Sequence, residues 1–526
     1  MNELLTTSLV WRLCAMLAGW LRRSPLGRGM RALGRLWRES ATYLLFAWLL
    51  KRPCAIESSA YCAASERRNA RLSAWGQAHL LPALRQSLFG GLCQAIGRAF
   101  RESLLLGRLC QSGFTAVLLA IVAAYAPLDW LLRDVLQLSL LGSIWDELLL
   151  LVGFVWALYQ RASAQKPLRS RVSGAGLGVG LYLLIGLVLL VWTWSAPVSV
   201  SISGFRASMQ YLLLFYLVID LLRDRADLLL MTKVIVLLGT LIALYGVAQY
   251  LLGVEIPSNW TDQAETAVRT RVFSIFSNPN ILGGYLVLVT PITVGMAYTV
   301  EGPAEKVFYW LCALCMCLAC LFTMTRGAWF ALVVAAVCFA LIVDRRLLLL
   351  MLVGGIAACF LPFVRSRIGY LFTDSFIESN NRGGRAARWD RAFGYLDRAD
   401  RWAQGLGFGR YGGAVAMQNP INSTFEYAYV DNYYVKILAE NGIVGLCGFI
   451  TSMLLLLWNG ARAAAAAVRA RLRPLTAGML CGLIGMLTAS FFESLWEEPY
   501  LMAMFFSVAA MMIFAGRPEA EASAPN

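Results

Sequence analysis

Charge is scarce in this chain: charged residues fill 15% of its 526 positions, well under the roughly 25% of a soluble domain. With 59% hydrophobic residues and a positive mean hydropathy, that scarcity excludes an ordinary soluble enzyme and points to an integral membrane protein. Histidine is almost missing. The single one, His79, lies in an arginine-rich stretch, so histidine-based catalysis would rest on a poorly placed residue. The alternation of a β-barrel is absent too. In its place, runs such as 183–194, 235–252, 332–343 and 453–458 belong to apolar segments of about twenty residues, enough to cross a bilayer as helices. Positions 1–10 carry no positive side chain, so the n-region of a signal peptide is not expected there.

What is present sharpens these exclusions. The 13 cysteines lie mostly inside apolar runs; Cys312, Cys315, Cys317 and Cys320 include a CxxC spacing with no histidine or carboxylate in the span, which favours packing over metal or redox chemistry. The formal charge of +15 comes from arginines spread between apolar spans rather than gathered in one domain, so lipid headgroups and phosphates are expected partners and nucleic acid is not.

Residues 1–110 mix short apolar stretches with arginines and never sustain a clean apolar span; they read as a cytoplasmic, interfacial amphipathic region, with 43–50 the one stretch that could cross. After it come about twelve spans by apolar length: near 112–132, 138–158, 174–195, 207–222, 232–252, 279–299, 306–324, 326–343, 346–364, 433–459, 475–492 and 496–515. The division is thus 111–364 for the first nine spans, 365–432 for a large extracytoplasmic helical loop, 433–516 for the last three spans, and 517–526 for a cytoplasmic tail. The fold class is all-α and polytopic. Arg161, Lys166, Arg169, Arg171, Arg223, Arg225, Arg345, Arg346, Arg462, Arg469, Arg471 and Arg473 share one side, which the positive-inside rule makes cytoplasmic. Arg269, Arg271 and Arg326 then stand on the outward side against that bias. An ionisable residue such as Arg326 at the junction of two apolar runs is either a functional group or an interfacial arginine snorkelling to headgroups.

The long polar segment 365–434 is too rich in aromatics and glycine for a disordered linker. Within it, 384–402 fits a helix with Trp389, Phe393 and Leu396 on one narrow face and Arg388, Arg391, Arg398 and Arg401 elsewhere. That pattern suits a docked helix with a cationic flank, or a solvated face whose Asp390, Asp397 and Asp400 pair with the arginines. GLGFGRYGG, around Arg410, permits tight turns and close backbone approach, and a return of the chain to the membrane is its simplest role. Asn278 before Pro279 opens a span, leaving the Asn278 and Asn280 amides to cap the helix or to bind polar groups.

RVFSIFSNPNILGGYL, TMTRGAW, GLGFGRYG and VDNYYVKILAENGIVG, in this order over about 200–460, resemble the O-antigen ligase and polymerase superfamily of bacterial membrane glycosyltransferases. The resemblance implies a glycosyltransferase C-like fold, and a metal-independent, cofactor-free enzyme on the outer face of the bacterial cytoplasmic membrane. It would pass a glycan from an undecaprenyl-diphosphate carrier to a glycan, lipid or protein acceptor. Family arginines that engage the diphosphate correspond to Arg326 and Arg271. Guanidinium groups suit that role because they bind phosphate bidentately and stay charged as the sugar bond breaks. Where many such ligases have His-Asn before an aromatic, this chain has Asp431, Asn432 and Tyr433; Asp431 is either the general base or a helix cap. Glu440 either contacts substrate or pairs with Lys436 four residues earlier. Glu493, Glu497 and Glu498 contact sugar hydroxyls or simply face solvent. The competing class is a transporter or permease, which would show internal repeats and interrupted helices at the bilayer midplane; no repeat is evident in the sequence.

Overall fold

In the computed structural model the described residues are 48, 59–87, 113–165, 170–195, 197–255, 270–276, 278–373, 384–419, 430–467 and 471–518. Arg269, most of 1–110 and most of the C-terminal tail lie outside them.

Among the described residues the chain is helical, without strands. Helix α1 (Ala60–Trp75) precedes α2 (Phe114–Ala123), α3 (Tyr125–Trp130), α4 (Ser139–Ser163), α5 (Gly174–Trp192), α6 (Val198–Met209), α7 (Leu213–Leu221) and α8 (Arg225–Leu251). Then follow α9 (Pro279–Thr299), α10 (Pro303–Phe322), α11 (Arg326–Ile342), α12 (Arg346–Cys359) and α13 (Pro362–Gly369). The polar segment holds α14 (Arg385–Ala399) and α15 (Ala414–Gln418), and the chain ends with α16 (Tyr433–Ala466), α17 (Arg473–Ala489) and α18 (Pro499–Ala515). The twelve apolar stretches read from the sequence coincide with helices, 112–132 with α2 and α3, 207–222 with α6 and α7, and 346–364 with α12 and α13, while 43–50 lies outside the described residues except at position 48. Among the described residues seven are long and apolar enough to cross a membrane, with α6 and α7 counted together; α2 and the run Tyr125–Val135 that α3 opens pass that test only as a pair bent by 77°; α11, α12, α17 and α18 are apolar but shorter. Exposed Leu151, Leu184, Val191, Leu311 and Leu454 give the bundle the apolar exterior that lipid requires.

Lipid tails are as apolar as leucine, so helices in a membrane hold together by close packing rather than by escape from water. The tightest pairing is α9 against α17. On α17, Gly478 and Gly482 form a small-xxx-small stripe, and a Cβ on either would stand 2.3 Å from the carbonyl oxygen of Pro291 or Leu288 on α9. The two backbones therefore touch, and α9 is almost wholly enclosed. This contact decides the site, because α9 starts beside Asn280 and α17 ends beside Glu493.

Arginines at the opposite end tie the short connections together. Arg161 pairs with Asp220, Arg471 with Glu301, Arg171 donates to the Leu222 carbonyl, Arg473 to that of Ile342, and Arg517 to those of Ser170, Arg171 and Val172. Helix α1 docks at this end through Ser73, whose hydroxyl donates to the Ala164 carbonyl.

The polar segment is anchored where α16 breaks. Gly442 has φ 64°, a region open mainly to glycine, and a Cβ there would stand 2.2 Å from the Ala403 carbonyl oxygen. The amides of Ile443 and Val444 donate to the carbonyls of Trp402 and Ala403, while the carbonyls of Ala439 and Glu440 accept from Leu406 and Gly407. The backbone groups released by the break are thus satisfied by the GLGF turn. Helix α14 packs above, burying Ala392 and Leu396 beside Leu406, Tyr411, Val430 and Ala439, with Trp389 and Trp402 at the edge. This is the docked helix expected from the spacing; Asp397 accepts from the Trp402 indole.

Candidate active site

Three helices begin at the same place. Asn278 caps α9 by accepting from the amide of Asn280 at 2.8 Å, Thr325 precedes α11, and Asn432 caps α16 by accepting from the amides of Tyr434 and Val435 at 2.9 and 3.1 Å. The Asn280 amide group joins the first two, accepting from the Thr325 hydroxyl at 3.0 Å. The Tyr433 amide ties the third to the end of α17 through the Ser490 carbonyl at 2.9 Å. A helix N-terminus carries unsatisfied N–H groups and about half a positive charge, so three together favour an anion.

Arginines reinforce that field. Arg271, 7% exposed, donates through Nε to the Thr323 carbonyl at 3.1 Å, and through Nη2 to Asn280 Oδ1 at 2.9 Å and Thr325 Oγ1 at 3.2 Å. Burial lowers its affinity for the proton to about 10, Glu493 opposing and the Arg326 charge adding to the effect; it stays cationic at neutral pH. Arg326 is the first residue of α11, half-buried, with its guanidinium 5.7 Å from the centre of the Tyr370 ring. A cation there opposes the helix dipole rather than complementing it, a placement that a bound anion would relieve. Arg367, also buried, donates to the Met324 carbonyl at 3.0 Å, so the Thr323–Thr325 turn is clamped from two sides.

Two carboxylates face this group. Asp431 has φ 51° and pairs through Oδ2 with Arg388 Nη1 at 2.5 Å. Burial raises its proton affinity, while Arg388 and Arg385 pull it down. The cap of α16 is Asn432, so the capping alternative for Asp431 falls away. Glu493, 7% exposed, accepts from Asn280 Nδ2 at 2.5 Å. Burial and the neighbouring Asp431 charge push its carboxyl up to about 7, against Arg385 and the Asn280 hydrogen bond. Arg385 bridges from α14, donating to the Phe492 carbonyl at 2.9 Å.

Of the residues singled out from sequence, Arg271, Arg326, Asn280, Arg388 and Asp431 come together, with Asn278 and Asn432 beside them as caps. Tyr433 is in the core, stacked on Trp496 with ring centres 5.6 Å apart. Arg391 is exposed on α14. Arg410 donates to the Ser195 carbonyl at 2.7 Å and the Ser201 hydroxyl at 3.1 Å, fastening the glycine turn to the start of α6. Glu440 pairs with Lys436, whose ammonium also contacts Glu497. Nothing in the sequence marks Arg367 or Arg385, and for Glu493 the sequence allows sugar contact or solvent; its burial excludes simple solvent exposure. Glu493 in FFES was the only one with a signal, a carboxylate closing an apolar run.

Among curated proteins none matches the chain. Residues 311–450, which hold Arg326, the polar segment, Asp431 and Glu440 but neither Arg271 nor Glu493, match the family model described as O-Antigen ligase, so this stretch of the helical chain is similar to that family.

Proposed function

We propose that this protein transfers a glycan from an undecaprenyl-diphosphate carrier to a hydroxyl acceptor at the outer face of a bacterial cytoplasmic membrane, as a ligase or a polymerase. The observation that carries the reading is the convergence of Arg271, Arg326 and three helix N-termini on the Asp431 and Glu493 carboxylates, at the bundle end opposite the basic short connections. The diphosphate sits against Arg271 and Arg326, which hold their charge while the bond between the anomeric carbon and the phosphate oxygen breaks. The electron pair leaves with the diphosphate, and fixed cations stabilise it most as its charge grows. The acceptor hydroxyl oxygen attacks the anomeric carbon and its proton goes to Asp431, which Arg388 holds in place and burial makes more basic than an exposed aspartate.

The test uses the purified protein in bilayers, given undecaprenyl-diphosphate-linked glycan and candidate acceptors, with carrier release followed over time. Release that depends on both donor and acceptor is expected. No turnover with any donor, alongside solute flux independent of glycan, would overturn the reading in favour of a permease.

A further inference from the structure

A second polar group lies one turn along α16 from Asn432 and takes no part in the chemistry above. Lys436, Glu440 and Glu497 are all more than nine-tenths buried as side chains. The Lys436 ammonium lies 3.6 Å from Glu440 and closer to Glu497. Glu440 also accepts from the Tyr411 amide and Glu497 from the Ala414 amide, each at 3.3 Å. These three line a small pocket of about 70 Å³ whose facing wall on α6 is small: Ala207 and Ser208. The Ser208 residue is 8% exposed, lines the pocket, and its hydroxyl has no hydrogen bond among the described residues.

One lysine and two glutamates leave a net negative charge out of bulk water, a costly arrangement unless donors reach the carboxylates. Each carboxylate has about four acceptor sites, of which the lysine and one amide use part. The remainder, with the idle Ser208 hydroxyl, calls for a ligand rich in hydroxyl groups. A second cation is disfavoured, because the Lys436 ammonium already stands between the two carboxylates. The enclosed space is small and open at its mouth, so it takes no more than a single sugar ring.

We infer that this pocket is a subsite for one neutral pyranose unit of the glycan, its hydroxyls donating to Glu440 and Glu497 and pairing with Ser208. The inference rests on the glycosyl-transfer reading and names where that substrate is gripped beyond the reacting bond. A ring bound here belongs to either the donor or the acceptor chain, and the Michaelis constants separate the two.

The experiment has two parts, on the full chain in nanodiscs. Saturation-transfer NMR with methyl glycosides of glucose, galactose, rhamnose and N-acetylglucosamine is expected to show contact for at least one, reduced about tenfold in Ala207→Leu, which fills the pocket, and weakened in Ser208→Ala, which removes only the hydroxyl. In the transfer assay, Ala207→Leu is expected to raise KM about tenfold, equivalent to about 1.4 kcal/mol, for donor if the ring is the donor's and for acceptor if it is the acceptor's, with kcat changed less. No contact with any glycoside, or equal contact and equal KM in both variants, overturns the subsite. A wild-type protein that releases carrier while failing these tests leaves the transferase reading intact. One that binds glycosides in the pocket without releasing carrier overturns the transferase and keeps the pocket.

Discussion

Asp431 heads α16 just before its Asn432 cap, and its surroundings suit a carboxylate proposed as the base. Its charge shares a buried neighbourhood with Glu493, so the two take up a proton as one coupled system. The direction follows: burial raises the Asp431 carboxyl above the ordinary aspartate range, the base acts when unprotonated, and carrier release is expected to fall as pH drops through that raised value. Glu493→Gln removes the negative neighbour, so Asp431 gives up its proton more readily and the acid limb of the rate profile should move to lower pH; a limb that stays in place or rises would contradict the coupling. Arg326→Ala is expected to slow release by about 100- to 1,000-fold, the usual loss for one donor to developing charge, with thermal unfolding little changed because Arg326 is half-buried at a helix start whose dipole it opposes. Asp431→Asn should abolish transfer without loosening α16, whereas Asn432→Ala should cost about 1 kcal/mol of stability through the lost cap, measurable as a lower melting temperature. At this scale the sequence was legible for the charged residues beside glycine, proline or aromatic punctuation. It was silent on Arg367 and Arg385, whose roles come from contacts more than 40 residues away in the chain.

Elements bring these residues together through two close backbone approaches. Gly482→Leu would push a side chain into the Leu288 carbonyl of α9 and separate Asn280 from Glu493. Because neither backbone can yield cheaply, the expected outcome is poor folding, seen as loss of the monodisperse peak in detergent and a melting temperature lowered by many degrees. Apolar length was enough to locate the helices, since each backbone crossing lipid must satisfy its own hydrogen bonds. The break at Gly442 could not be read the same way. Its Asn441-Gly442 pair is a local turn signal inside a long helix, and what lets the break stand is the distant GLGF turn, which supplies the missing partners.

For the whole molecule, charge distribution and site placement agree: the basic short connections occupy one end of the bundle and the arginine–carboxylate group the other. A cysteine at the exposed Arg398 position in an otherwise cysteine-free chain should react with a membrane-impermeant maleimide in intact cells, while one at Arg346 should react only after permeabilisation; the reverse pattern would invert the orientation proposed for the site. Composition alone determined that this protein lives in a membrane, where its helices fall and which end is basic, because burial in lipid and the bias of arginine act on short stretches of chain. Tertiary structure alone decided that Arg271, nine residues before Asn280, reaches Thr323, that Glu493 rather than solvent meets Asn280, and that Asn432 frees Asp431 from capping. The first two are contacts between segments far apart in sequence, set by how closely two helix backbones can approach; the third is a local choice between adjacent residues, fixed by the positive φ of Asp431.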